Sequence, residues 1–337
     1  MDQPRIISPT TRVLGIAVLA AAGGWMTGAG EQAQPPLPPD SGPAPAAVAR
    51  PPEPSRPADL PWPAKGQAAV EFTGRADGLS VHGEQRPVPI ASLTKVMTAL
   101  VILGDHPLGG NAAGPSIRVD RQAALESGNR DESTVPITAG QSFTERQLLE
   151  LMLIPSGNNA ARLLARWDAG SERDFVRKMN ATAAKLGMRH TTYTGASGYE
   201  PTTVSTAADQ LKLAAQAMKN PVLRDIVATR KTTVPGVPGT IVNGNKLLGL
   251  RGVVGLKTGT STPAGGALLW AARPAAGDRD RLILGVVLRQ GGPGDTLEEK
   301  RQAAFAASRR LIMAAQGLPA HRCRSGSGAR PQCPPGA

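Results

Sequence analysis

The chain has 337 residues, enough for one large core or two modest ones, with 40% apolar and 19% charged side chains. Its net charge of +12, from 38 Lys and Arg against 26 Asp and Glu, would suit an anionic partner, yet the arginines are scattered, aromatics make up only 3% and there are just two cysteines. Nucleic-acid modules and zinc-finger spacing are excluded on those grounds, and the basic balance reads as solvated arginine-rich faces.

In chain order, the first thirty residues read as an export address. Arg5 and Arg12 precede an apolar run over residues 13–26, the n-region and h-region of a secretory signal and short for a membrane span. Residues 1–30 are therefore expected to be a signal peptide or an N-terminal membrane anchor. Residues 31–65, with Pro35-Pro36, Pro38-Pro39 and Pro51-Pro52, are expected to be a disordered, polyproline-like linker holding a folded body away from a membrane.

From Gln67 the character changes. Residues 68–72 and 79–82 predict a β-hairpin, and helical patterns follow over 92–103, 145–153, 159–167, 172–186 and 206–218. Residues 252–260, 267–272 and 281–289 predict strands, and 296–315 a long amphipathic helix. Strands at both ends with helices between them predict an α/β (α+β) body, its sheet assembled from distant parts of the chain and flanked by helices. The body is placed at 66–317 and a disordered tail at 318–337, where Cys323 and Cys333 would pair with each other in an exported protein.

Three short motifs fall inside that body. Ser92-Leu93-Thr94-Lys95 opens a helical pattern, and i and i+3 share a helix face, so the Lys95 amine can reach the Ser92 hydroxyl. A serine needs an adjacent base, and lysine can serve only if burial or a neighbouring cation such as Lys257 lowers its pKa. Ser92 could instead cap the helix, but the apolar run over 96–103 buries the helix that Lys95 begins. Ser156-Gly157-Asn158 follows Pro155 between two apolar helices, a rigid place to present a hydroxyl and a carboxamide. Its copy, Ser127-Gly128-Asn129, lies among Glu126, Arg130, Asp131 and Glu132 and reads as a surface loop. Lys257-Thr258-Gly259 ends a glycine-containing strand along which a peptide could pair edge-on while the lysine holds a carboxylate. A phosphate loop fails there, because Leu256 stands where a glycine is needed and no helix follows. Lys231-Thr232-Thr233 nearly copies this third motif. His82, His106, His190 and His321 show no metal-ligand spacing, so neither metal nor cofactor is expected.

These residues resemble the low-molecular-mass penicillin-binding proteins, the serine-type D-Ala-D-Ala carboxypeptidases. The resemblance is carried by residues 91–98, 153–160, 243–248 and 255–260, and covers roughly 67–289. It implies a β-lactamase/transpeptidase-like fold, an antiparallel sheet flanked by helices plus an all-helical subdomain, with the site between them. It further implies that Ser92 attacks the D-Ala-D-Ala carbonyl of a peptidoglycan stem peptide, that Lys95 accepts the proton and that Ser156 relays one to the leaving D-alanine. Asn158, Lys257, Thr258, Gly259 and Thr260 would bind substrate, with the backbone amides of Ser92 and Thr260 forming the oxyanion hole. β-Lactam antibiotics would acylate Ser92 and leave slowly, and the protein would act outside the cytoplasm, in the cell wall or on the outer face of the cytoplasmic membrane. Asn159 stands where the family often has aspartate, and Arg289 lies near the place of a carboxylate-binding arginine.

Three other readings compete. A β-lactamase would deacylate through a glutamate-activated water, for which Glu200 is the candidate; a DD-endopeptidase would cut crosslinks; a penicillin-sensing or wall-binding domain would have no need of Ser92, Lys95 and Lys257 together.

Overall fold

The computed structural model describes residues 60–317 except 77 and 276–280. The export segment, most of the linker and the tail with its two cysteines lie outside the described residues. β1 (Gln67–Phe72) and β2 (Leu79–His82) form the expected hairpin, and β3 (Val88–Pro89) with a 3₁₀ turn (Ala91–Leu93) leads into α1 (Thr94–Asp105). Next come β4 (Ser116–Arg118), α2 (Arg121–Glu126), β5 (Ser142–Thr144), α3 (Glu145–Leu153), α4 (Asn158–Ala169) and α5 (Glu172–Lys185). The chain continues through β6 (Val204–Ser205), α6 (Ala207–Ala217), α7 (Pro221–Ala228), β7 (Lys231–Thr232) and β8 (Ile241–Val242), then β9 (Val253–Ser261), β10 (Gly265–Ala272), β11 (Ile283–Gln290) and α8 (Leu297–Ala315).

Local sequence explains most boundaries. Thr144 and Gln147 form a capping box on α3, as do Thr296 and Glu299 on α8, and α4 stops at Gly170 in the left-handed region. The sequence reading does not anticipate α2, six residues capped by Asp120, or α7, which starts with Asn220 as cap and Pro221 in its first turn. Both are too short for a 3.6-residue period to stand out.

The main sheet has the order β2-β1-β11-β10-β9, every pair antiparallel. Its strands alternate between two packed faces with period two. Ala69, Leu269, Ala271, Val286 and Leu288 join one core with α1, α3, α4 and α6, while Ala68, Val70, Leu268, Trp270 and Val287 join another with α8. Trp270 pairs in register with Gly285, where a Cβ would lie 2.0 Å from the indole, so the glycine makes room for the largest side chain of the sheet.

The packed body begins earlier than the proline content suggests. Leu60 is buried in the α8-side core, Pro63 is buried and the Trp62 ring stacks on His82 with centroids 5.4 Å apart, so the last residues assigned to a linker are part of the body. Two large apolar side chains among the prolines supply contacts that polyproline alone lacks.

Two placements prepare the site. α1 runs through the core against α3, α4, α5 and α6, and β9, at the edge of the sheet, packs against the 3₁₀ turn.

Candidate active site

Ser92 lies in the 3₁₀ turn, and α1 starts at Thr94 rather than at Ser92 as the pattern predicts. The difference is tertiary. Ala91 is held at φ +46°, its carbonyl accepts from Thr94 Oγ1 at 2.8 Å, and it lies so close beneath Gly198 that a Cβ there would come within 2.0 Å of the carbonyl oxygen. No side chain caps this turn or α1, so the Ser92 hydroxyl is not spent on capping.

Lys95 is fully buried one turn on. Its Nζ lies 2.9 Å from Ser92 Oγ, 2.5 Å from Asn158 Oδ1 and 2.6 Å from the Ser197 carbonyl. The last two partners only accept. A neutral amine has two protons and one lone pair, so it satisfies them and still takes a hydrogen bond from the serine. Burial, then the cations of Lys257 and Arg162, hold the Lys95 pKa well below the usual lysine value, against an opposing pull from Glu132 and Glu200. The arrangement is a serine hydroxyl with a dry amine base in contact, the geometry that nucleophilic catalysis requires.

Asn158 is the first residue of α4, and its backbone amide donates to the Ser133 carbonyl at 2.8 Å. Ser156, just before it, is held at φ +70°, and its side chain makes no hydrogen bond among the described residues. It does not line the cleft beside Ser92, whereas Asn158 does.

β9 brings the third motif alongside. A Cβ on Gly259 would lie 2.7 Å from Leu93 Cδ1 and 2.9 Å from the Ile90 carbonyl, so only glycine lets the strand reach the turn that carries Ser92. Thr258 faces Gly244 of the loop after β8, where a Cβ would come within 3.2 Å of its hydroxyl. Lys257 is 2% exposed, and among the described residues its Nζ makes one hydrogen bond, 3.2 Å to the Thr258 carbonyl. Burial lowers its pKa to about 7. A cleft of about 600 Å³ opens beside Ser92, lined among others by Glu132, Asn158, Tyr199, Thr260 and Leu297, while Lys95, Lys257, Thr258 and Gly259 are not part of its lining.

The acidic stretch over 126–132 differs from its reading as a surface loop. Arg162 of α4 donates to Glu126 at 2.9 Å and to Glu132 at 2.7 Å, with all three side chains largely buried, and to Ser197 Oγ at 3.2 Å. Asn158 Nδ2 donates to Glu132 at 2.5 Å. Ser127 is scaffold and not a second site: its hydroxyl lies 2.9 Å from the Ile137 carbonyl and 3.0 Å from that of Val135. Asn159, fully buried, donates to Ser127 Oγ and to the carbonyls of Ala123 and Val135, and accepts from the Val135 amide. Two of those four partners, the carbonyls, need a donor, which a carboxamide supplies and a carboxylate does not.

The remaining candidates lie elsewhere. The Lys231 near-copy sits on the short strand β7, and Arg289, exposed on β11 at φ +57°, is not part of the cleft lining. The Glu200 carboxylate packs on Gly195, its Oε2 buried without a hydrogen bond, and does not line the cleft. Sequence reasoning missed Glu132, Arg162 and Ser197. Only the i, i+4 spacing of Asn158 and Arg162 on one helix face hinted that the arginine points into the site.

Comparison with known proteins identifies the family. The family profile described as Peptidase_S11, D-alanyl-D-alanine carboxypeptidase, matches residues 75–290. The D-alanyl-D-alanine carboxypeptidase DacB2 of Mycobacterium tuberculosis is 36% identical over 214 residues, which span 61% of this chain and 69% of the relative. A D-alanyl-D-alanine endopeptidase of Pseudomonas aeruginosa is 34% identical over 171 residues, 51% of this chain and 53% of its own length. Among solved structures, penicillin-binding protein D2 of Listeria monocytogenes in its cefotaxime-bound form superposes with a TM-score of 0.59 at 27% identity, over 74% of this chain and 96% of that one.

Proposed function

Since the chain belongs to the D-alanyl-D-alanine carboxypeptidase family of serine peptidases, we propose that its described body removes the terminal D-alanine from peptidoglycan stem peptides through an acyl-enzyme on Ser92. Ser92 Oγ bonds to the penultimate D-alanine carbonyl carbon as its proton passes to the Lys95 lone pair. The resulting oxyanion is received by the backbone amides of Ser92 and Thr260. The intermediate collapses, the C–N bond breaks, and the proton taken up by Lys95 passes to the departing amine, the relay for which the family resemblance implies Ser156. Water then releases the shortened peptide and restores the Ser92 hydroxyl.

One observation carries this reading: the contact of a fully buried Lys95 amine with Ser92 Oγ, its two other partners being acceptors. Lys257 supports it. An almost buried amine with one long hydrogen bond has donors to spare for the terminal carboxylate, and β9 offers a sheet edge on which the substrate backbone can pair, with Thr258, Gly259 and Thr260 along it. Asn158 would hold the substrate amide. β-Lactams, whose strained amide imitates the dipeptide, would acylate the same serine.

A second reading has its own support. The relative from Pseudomonas aeruginosa is a D-alanyl-D-alanine endopeptidase, and the same chemistry on a crosslink differs only in the leaving amine. Action on peptidoglycan puts the body outside the cytoplasm. Among the described residues no helix is long and apolar enough to cross a membrane, so attachment would rest on the apolar run over 13–26. The domain assignment follows: an export segment, a linker, a peptidase body now extended back to Leu60, and a tail.

The test is to incubate the purified protein with diacetyl-Lys-D-Ala-D-Ala, a crosslinked muropeptide and a chromogenic cephalosporin, with Ser92→Ala as control. Free D-alanine from the first substrate, none from the variant and a single slow turnover of the cephalosporin are expected. Repeated cephalosporin turnover without D-alanine would make the protein a β-lactamase, and preferential cleavage of the crosslink an endopeptidase.

A further inference from the structure

An asparagine carboxamide can be turned end for end with little change in shape, and its two ends do opposite things to a neighbouring amine. If Oδ1 faces Lys95, the neutral amine donates to it and keeps its lone pair for Ser92. If Nδ2 faces Lys95, only the lone pair can receive it, and the base is occupied. Something must fix the choice.

We propose that Glu132 is the positioning residue that sets it, holding Asn158 with Oδ1 towards Lys95 so that the amine remains free to take the Ser92 proton. Its carboxylate has only acceptors to offer. Oε2 takes Asn158 Nδ2 at 2.5 Å, and Oε1 takes Arg162 Nη2 at 2.7 Å and Asn129 Nδ2 at 2.9 Å. The Glu132 side chain is 4% exposed, so water competes little for these contacts. Although burial opposes it, hydrogen bonds from Arg162 and Asn158 bring the Glu132 carboxyl below the usual glutamate range and keep it ionised. Arg162 in turn is anchored by Glu126 and reaches Ser197 Oγ, whose residue supplies the other acceptor of Lys95. One ion network thus braces both acceptors that define the amine's orientation, and the second Nδ2 proton of Asn158 is left for the substrate.

The isosteric change Glu132→Gln probes this directly. Arg162 would claim the single amide oxygen, the new NH₂ would confront Asn158 Nδ2, and the clash would be relieved by inverting Asn158. The inversion turns Nδ2–H onto the Lys95 lone pair. The inference rests on Lys95 being the base, and the controls separate the two claims.

In the full chain, second-order acylation by a fluorescent penicillin is measured from about pH 5 to 9 for wild type, Glu132→Gln, Asn158→Ala and the double variant, with Ser92→Ala as blank. Rates are normalised to the sites that label at completion, so partial unfolding does not enter. Glu132→Gln should slow acylation at least ten-fold. Its acid limb should move to lower pH, because Lys95 then faces Lys257 from β9 and Arg162 from α4 with only Glu200 opposing them. In the Asn158→Ala background the same change should cost less than two-fold, since the residue it acts through is gone. Acylation of Glu132→Gln within two-fold of wild type, or an undiminished loss in the Asn158→Ala background, overturns the inference while leaving the acyl-transfer reading intact. A wild-type protein that takes no label at Ser92 overturns both.

Discussion

Two buried lysines stand near Ser92, and the proposed acyl transfer asks opposite things of them: Lys95 would be neutral to accept a proton, and Lys257 charged to hold a carboxylate. Burial lowers both pKa values, and the neighbouring cations Lys257 and Arg162 further disfavour Lys95 as a cation. Lys95 therefore gives up its proton first, and Lys257 follows at about 7. The dependence of kcat/KM on pH should be bell-shaped, rising as Lys95 deprotonates and falling near pH 7 as Lys257 does. Lys257→Arg should keep the rising limb and abolish the fall, because a guanidinium stays charged throughout, even if the bulkier group lowers the plateau. Rates of D-alanine release from pH 5 to 10 check this, and an unchanged falling limb would assign it to another group.

At the level of elements, the site is a meeting of one turn, one helix start and one strand. Ser92 rides on the 3₁₀ turn, Asn158 on the first residue of α4, and Lys257 to Thr260 on the edge strand β9. The three motifs were legible in the sequence because their chemistry is local: an i, i+3 pair, a turn between apolar runs, a strand poor in side-chain bulk. The turn itself was not, since Ala91 at φ +46° is imposed by Gly198 and Thr94 packed around its carbonyl. Glu132 and Arg162 were also hidden. A buried charge that meets its counter-charge thirty residues away looks, in sequence, like any solvated one. The tightest junction is at Gly259. Gly259→Ala would push a methyl group into Leu93 and the Ile90 carbonyl, costing about 1–3 kcal/mol in urea unfolding. It should also slow penicillin labelling of Ser92 at least ten-fold, because the turn must retreat. Labelling within two-fold of wild type would mean that the turn and strand are not mechanically coupled.

For the whole molecule, a buried carboxyl outside the site makes stability depend on pH. Glu145, the first residue of α3, is fully buried, neither carboxyl oxygen has a hydrogen-bond partner among the described residues, and burial raises its pKa from 4.5 to about 7. The folded state then binds the proton more tightly than the unfolded one, so its contribution is fully present below about pH 4.5 and lost as pH rises through 7. Glu145→Gln should remove that slope and leave the protein more stable than wild type at pH 8 by roughly 1–3 kcal/mol. The difference between the two urea midpoints at pH 5 and pH 8 measures it, and an equal difference at both would deny Glu145 the role.

The sheet order has a consequence in time. β1 stands between β2 and β11, so a strand from the start of the body waits for one from near its end, and such long-range pairing is slow to form. Until it does, Lys95 would be an ordinary solvated ammonium, with neither β9 beside it nor Arg162 of α4 behind it, and Ser92 an ordinary alcohol. The chain is thus expected to be inert until the sheet closes, and to become armed in that act. Penicillin reactivity should therefore appear together with the last folding phase and not before it, making the antibiotic a stopwatch for the fold.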